Sequence, residues 1–182
     1  KSTTGEGASL SVTSDTVTDL AGNVGSAVTV DSIKVDKSAP AITFVSRLPL
    51  ANANGWNNSD ITLNWSCSDA VSGVGEGGAT VTKTVSTEGA NQSKSATCTN
   101  NAVLTSSDTQ TAISIDKTAP TLSLNGTDIE ITAGQTFVDP GATASDNLDA
   151  DINSRIVTTS SVINTVVGSY TVVYSASDLA GN

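Results

Sequence analysis

The feature that most constrains this chain is a phrase that occurs twice, 80 residues apart. Val35-Asp36-Lys37-Ser38-Ala39-Pro40 returns as Ile115-Asp116-Lys117-Thr118-Ala119-Pro120, and alternating apolar residues follow both copies. A second phrase, Asp-Leu-Ala-Gly-Asn, occurs at 19–23 and again at 178–182. Repetition at a domain-sized period is the signature of a tandem array. It predicts the last strands of a truncated domain at 1–40, a complete domain at 41–120, and a domain without its last strand at 121–182.

The composition favours strands and turns. Val and Thr are frequent and suit strands, whereas Gly, Asn and Asp are frequent and suit turns. No window shows the apolar spacing of an amphipathic helix, so we expect an all-β chain with almost no helix. The longest apolar runs are much shorter than a bilayer requires, and we expect no membrane span in this segment.

The charge and the missing residue types exclude several functions. The net charge is −10, which disfavours nucleic acid as a partner because phosphate binding needs clustered Lys and Arg. The chain has no His to activate a Ser or Cys nucleophile. Glycoside hydrolysis requires two acids across a cleft, whereas the neighbouring acids Asp149 and Asp151 lie in a segment predicted to be a turn. We therefore expect a protein that is not an enzyme.

The middle segment carries the clearest core pattern and both cysteines. Ile61, Leu63, Trp65 and Cys67 share one parity, which places all four on the inward face of a strand. Cys98 follows 31 residues after Cys67, and the absence of His argues against a zinc site. The sequence predicts a structural disulfide between these cysteines, with Trp65 packed near it as in Ig-like sandwiches.

Two further local features are predicted from alternation. The parity of the apolar residues shifts between Val30 and Ile33, which indicates a β-bulge near Asp31 and Ser32. Residues 170–176 alternate most regularly of all, and Tyr170 opens that run. Its hydroxyl is a candidate to bond back to the backbone in a tyrosine corner.

Residues 121–182 resemble the Ig-like domains of bacterial surface proteins. The resemblance is carried by Thr132-Ala133-Gly134-Gln135-Thr136-Phe137-Val138-Asp139-Pro140-Gly141, by Asp146-Asn147, by Gly168-Ser169-Tyr170-Thr171-Val172 and by Ser177-Asp178-Leu179-Ala180-Gly181-Asn182. Residues 41–120 resemble a related bacterial Ig-like repeat, through Gly55-Trp56-Asn57-Asn58-Ser59-Asp60 and Trp65-Ser66-Cys67-Ser68-Asp69. The resemblance implies β-sandwich domains in a secreted or cell-surface protein, and it does not imply an active site. The repeats and their Pro-containing linkers predict that these Ig-like sandwiches form a tandem, elongated array. One loop departs from the resemblance: residues 100–104 lack the Asp and the Gly of the repeated phrase.

Calcium is the one cofactor that the sequence suggests. It binds 6–8 oxygens from carboxylates, Asn side chains and carbonyls. One candidate site is the acidic segment after residue 145, and the other is each domain junction, where a linker Asp and a loop Asp could meet. The candidate ligands are Asp146, Asn147, Asp149, Asp151, Asp19, Asn23, Asp36, Asp116, Asp178 and Asn182. The competing interpretation is a set of turns in which Asp bonds its own backbone.

The leading functional hypothesis is a structural stalk segment of an exported bacterial surface or adhesin-type protein, rigidified by calcium. Its partners are neighbouring Ig-like domains of the same chain and other copies bound through open strand edges. One alternative is a subunit of an extracellular fibre assembled by strand donation. The other is a carbohydrate-binding module, for which Trp56 is the only aromatic residue predicted to be exposed.

Overall fold

The computed structural model describes Ser2 and residues 4–182. Strands make up nearly all the regular structure of this described part, together with one 3-10 turn at Ile152–Arg155. The strands are β1 Gly7–Thr13, β2 Thr29–Val35, β3 Ala41–Leu48, β4 Trp56–Asn57, β5 Ile61–Ser68, β6 Thr80–Val85, β7 Gly89–Thr99, β8 Thr105–Ile115, β9 Thr121–Leu124, β10 Ala142–Ser145, β11 Val157–Ser160 and β12 Val172–Ser175. None of the described residues forms a helix with the length and apolarity to cross a membrane. The predicted all-β class is confirmed.

The chain divides into two compact units, and each is described by itself. The first unit combines the residues up to Arg47 with Thr62–Lys83 and Lys94–Gln110. The second combines Leu48–Ile61, Thr84–Ser93 and Thr111–Asn182. The first unit therefore contains the linker around Asp36, and the second contains the linker around Asp116. The domain boundaries drawn at residues 40 and 120 stay a prediction.

The N-terminal strands form an antiparallel hairpin with irregular register. Leu10 faces Ile33, and Val12 faces Val30, so two residues of β2 lie opposite one residue of β1. These two residues of β2 are Asp31 and Ser32, and Ser32 has a positive φ of 60°. The predicted bulge is confirmed, because an inserted residue shifts the side-chain alternation of one strand against its partner.

The middle segment builds two three-stranded sheets, in the orders β3-β5-β6 and β4-β8-β7. Ile61, Leu63 and Trp65 are completely buried and Cys67 is 5% exposed, so the predicted inward face of β5 is confirmed. Such alternation arises because successive side chains of a strand point to opposite faces. The predicted disulfide between Cys67 and Cys98 is present, and it connects β5 of one sheet to β7 of the other.

The last segment has shorter strands and a thinner core. β9 pairs with β10, and β11 pairs with β12, both antiparallel. Its buried apolar residues are Ala144, Ile152 and Ala180. A cavity of about 720 Å³ lies beside the stretch 126–131 and the stretch 166–174. The Tyr170 hydroxyl donates to the Val166 carbonyl at 3.0 Å, four residues upstream, which is the bond that a tyrosine corner contains.

Candidate metal centre

The Asp-Leu-Ala-Gly-Asn phrase folds into the same five-residue loop at both of its positions. In each copy the first residue's N–H donates to the fifth residue's carbonyl, at 2.9 Å from Asp19 and 3.3 Å from Asp178. One carboxylate oxygen of the Asp accepts backbone N–H groups from within the loop. The glycine takes a positive φ, 89° at Gly22 and 91° at Gly181. Asp and Gly favour this turn because one accepts local N–H groups and the other tolerates the left-handed region.

The loop that lacks the phrase has the same conformation. The Asn100 N–H donates to the Leu104 carbonyl at 3.0 Å, and the Asn100 side-chain oxygen accepts from the N–H groups of Ala102 and Leu104. Val103 stands where the glycine stands elsewhere and adopts a φ of 65°. A β-branched residue is strained in that region. The sequence departure therefore changes the side chains at this loop and leaves its backbone path intact.

Three carboxylates converge at the loop that begins with Asp178. Asp116 comes from the linker after β8, Asp146 is the first residue after β10, and Asp178 comes from the loop after β12. One oxygen of each lies within 4.8 Å of the others. Asp116 is 2% exposed and Asp178 is 4% exposed, so two of the three side chains are almost fully removed from water.

Each carboxylate commits one oxygen to local backbone. An oxygen of Asp116 accepts from the Thr118 N–H, and one of Asp146 accepts from Leu148 and Asp149. The other oxygen of Asp146 is buried and has no hydrogen-bond partner among the described residues. A buried oxygen anion without a donor is costly unless a positive charge faces it.

The electrostatics of the cluster favour a bound cation. Burial raises the pKa of Asp116 above its ordinary value, and the negative charges of Asp146, Asp178 and Glu88 raise that pKa further. Like charges in a buried site disfavour ionisation, and a cation among them reverses that effect. Three clustered carboxylates are the kind of oxygen ligands that a hard divalent cation such as calcium prefers. The cluster is the candidate metal centre.

The remaining candidates of the acidic segment lie outside this cluster. The Asn147 amide donates to Glu88 at 3.3 Å. The Asp149 carboxylate is buried and accepts from Arg155 Nε at 2.8 Å, so an ion pair already neutralises it. Asp151 is exposed, and its backbone carbonyl accepts from the Ser154 hydroxyl. Of the aspartates in this segment, which the structure describes in full, Asp146 is the one that belongs to the candidate centre.

The loop and linker candidates lie in three places. The Asn182 amide donates both to the Asp116 carbonyl and to the Asp178 carboxylate, each at 2.9 Å, and thus borders the candidate centre. Asp19 is exposed, and its carboxylate accepts from the backbone and the side chain of Asn23. Asp36 accepts from the Asn100 amide at 2.9 Å, in the first unit. The predicted meeting of a linker Asp with a loop Asp is therefore seen at Asp116 and Asp178.

The paired sheets, the disulfide between them and the repeated loops define a chain of Ig-like β-sandwich type. Residues 122–182 match the family model described as bacterial surface protein, Ig-like domain. This match agrees with the resemblance drawn from the sequence motifs of that segment. No curated protein and no solved structure matches the chain.

Proposed function

We propose that this chain is a non-enzymatic structural segment of an exported bacterial surface protein, in which Ig-like domains serve as a stalk. The surface-protein family match of residues 122–182 supports this function. The ionisable groups also favour it, because the cluster found among the described residues consists of carboxylates alone and the chain has no His to act as a base. Spacing and stiffness are what such domains supply.

The observation that carries the proposal is that Asp116, which lies in the predicted linker, clusters with Asp146 and Asp178. Its neighbour Lys117 is already fixed, since Nζ donates to Asp60 at 2.9 Å and to the Ser86 carbonyl at 2.7 Å. The Lys117 N–H also donates to Glu88. A calcium ion held by Asp116, Asp146 and Asp178 ties this linker to the loops after β10 and β12. The ion thereby stiffens the linker.

A second set of contacts supports the same stiffening. The side-chain amides of Asn52 and Asn54 both donate to the Leu179 carbonyl, at 2.9 and 3.1 Å. Leu179 belongs to the loop that contributes Asp178. An ion that orders Asp178 therefore also orders the acceptor for these two amides. Calcium binding and the packing around residues 52–54 are expected to reinforce one another.

Thermal unfolding with and without calcium tests the proposal. A ligand that binds only the folded state at 100 times its Kd stabilises it by about 2.7 kcal/mol. The melting temperature of the wild type is expected to rise in millimolar calcium and to fall in EGTA. Asp146→Asn is expected to abolish the rise. The matched control, Asp151→Asn, removes an exposed acid two residues beyond Asp149 and is expected to keep the rise. An identical melting curve for the wild type in calcium and in EGTA contradicts the proposal.

The cavity of the last segment favours one alternative function, a fibre subunit assembled by strand donation. Apolar side chains such as Ile129, Ile163 and Val167 line this cavity and are largely exposed. In the middle segment the loop at Asn100 leads into β8, and in the first segment the loop at Asp19 leads into β2. The donor in this alternative is β2 of a second copy, because it follows the equivalent loop. Sedimentation velocity decides between them: growth of polymers with concentration, lost in Val30→Lys, supports the fibre, and a monomer excludes it.

A further inference from the structure

We propose that the Asn100 side chain takes the place of a cation between the carboxylates of Asp36 and Asp69, at one end of the middle segment. This end is held together without metal, whereas the equivalent end at Asp116 requires a metal ion. The inference deepens the proposed function and rests on it for the second end. It assigns Asn100 as the residue that decides which end responds to calcium.

The two ends correspond residue by residue. Asp36 and Asp116 hold the same place in the repeated linker phrase. Asp69 and Asp146 each come directly after a strand, β5 in one case and β10 in the other. The third position belongs to the first residue of the five-residue loop, and there the two ends differ: it is an amide, Asn100, at one end and a carboxylate at the other.

The Asn100 side chain contacts both carboxylates of its end. Its amide nitrogen lies 2.9 Å from Asp36 Oδ2, 3.1 Å from Asp69 Oδ2 and 2.9 Å from the Ser38 carbonyl. Asn100 is 2% exposed, so these bonds are shielded from water. One nitrogen therefore stands at the centre of three oxygens that come from the linker and from the turn after β5. This is the arrangement that a metal ion imposes on its ligands.

Charge explains why the amide suffices at one end only. The amide hydrogens carry partial positive charge and satisfy acceptors without adding a negative charge. Hydrogen bonding from Asn100 is the main cause that lowers the pKa of Asp69, so that carboxylate stays ionised. A third carboxylate brings no donor and adds repulsion, as seen around Asp146, whose buried oxygen has no partner among the described residues. An asparagine at the first loop position thus replaces the cation, whereas an aspartate at that position requires one.

Counting bound calcium in loop variants tests the inference. Isothermal titration with calcium alone is expected to give one ion for the wild type, two for Asn100→Asp, none for Asp178→Asn and one for the double variant. The matched control is Ala102→Asp, which adds the same charge at an exposed position of the same loop and is expected to leave the count at one.

The outcomes separate this inference from the proposed function. The wild-type count tests the proposed function, and a count of zero overturns it. The difference between Asn100→Asp and the wild type tests the inference: a gain of one ion supports it, and no gain overturns it. If Asn100→Asp does not fold, NMR of the wild type decides. The inference requires the Asn100 side-chain amide hydrogens to be equally protected from exchange in EGTA and in calcium, and loss of protection in EGTA overturns it.

Discussion

The middle and last segments stabilise the same five-residue loop and its neighbouring linker in two different ways. In the middle segment the disulfide of Cys67 and Cys98 lies two residues before Asp69 and Asn100, respectively. The last segment has Ala144 and Ala176 at the corresponding positions, two residues before its own carboxylates. The middle segment therefore combines a disulfide with an amide at the first loop position, whereas the last segment has two alanines and a carboxylate at these three positions. Three side chains at equivalent backbone positions therefore determine whether this region is held together by the protein alone or, as we propose, by a bound cation.

The difference extends to the cores. β5 contributes four inward side chains that are at most 5% exposed, whereas the buried apolar residues of the last segment are Ala144, Ile152 and Ala180. Units of this size bury a smaller fraction of their surface than larger domains do, and they gain much from a disulfide or a metal. On the proposed function, we expect the last segment to gain from a bound cation the stability that the middle segment obtains from its core. Four predictions follow this comparison from its largest expected effect to its smallest.

Core truncation is expected to separate the two segments most strongly. Leu63→Ala removes a fully buried side chain and is expected to cost about 2–5 kcal/mol of unfolding free energy. Leu122→Ala truncates a half-buried residue of β9 and is expected to cost about 1–2 kcal/mol. Urea unfolding measures both. Equal losses for the two variants show that the cores do not differ in the way described.

Loss of the disulfide is expected to affect the middle segment by a similar amount. The bond closes a loop of 31 residues, and its removal in a Cys67→Ala, Cys98→Ala variant is expected to cost about 3–4 kcal/mol. Both tryptophans lie at 41–120 and both tyrosines at 121–182, so their fluorescence reports the two segments separately. The tryptophan transition is expected to shift more than the tyrosine transition. A shift of the tyrosine signal alone contradicts the assignment.

The glycine position of the loops is expected to show a smaller, reciprocal effect. Val103 is exposed and has a φ of 65°, so Val103→Gly relieves backbone strain and is expected to stabilise by about 1 kcal/mol. Gly181→Val introduces the same strain at a φ of 91° and is expected to destabilise by about 1–2 kcal/mol. Thermal unfolding of both variants is the measurement. A destabilising Val103→Gly shows that the two loops are not equivalent.

The pH dependence of the two ends is expected to have opposite sign. The pKa of Asp69 is lowered from 3.8, mainly by the Asn100 bond, so its stabilising effect is present above pH 3.8 and is lost as the pH falls through the folded-state pKa. The pKa of Asp116 is raised from 3.8, mainly by burial. In the calcium-free protein its protonation therefore stabilises the fold, and that gain is lost as the pH rises from 3.8 through the folded-state pKa.

Carboxyl carbon chemical shifts measure these two titrations directly. In EGTA we expect the Asp116 midpoint above 3.8 and the Asp69 midpoint below it. Saturating calcium is expected to lower the Asp116 midpoint, because a bound cation favours the ionised form, and to leave Asp69 unchanged. A common titration midpoint for Asp69 and Asp116 in EGTA contradicts the claim that the two ends are stabilised in different ways.

The sequence predicted much of the fold because strand alternation is a local property. Ile61, Leu63, Trp65 and Cys67 read as one buried face, and the parity shift beside Ile33 located the bulge. The cluster was harder to predict. Asp146 and Asp149 occur in one acidic run, and only the turn geometry sends one to the cluster and the other to Arg155. The role of Asn100 was missed because its loop lacks the repeated phrase, although its distance from Cys98 matches that of Asp178 from Ala176.

A crystal structure of calcium-soaked protein, with anomalous scattering used to locate the ion, tests the central claim most directly. The account predicts one calcium peak among Asp116, Asp146 and Asp178, at about 2.3–2.6 Å from their oxygens. It also predicts no peak between Asp36 and Asp69, where the Asn100 amide lies. An absent peak at the first location, or a peak at the second, contradicts it.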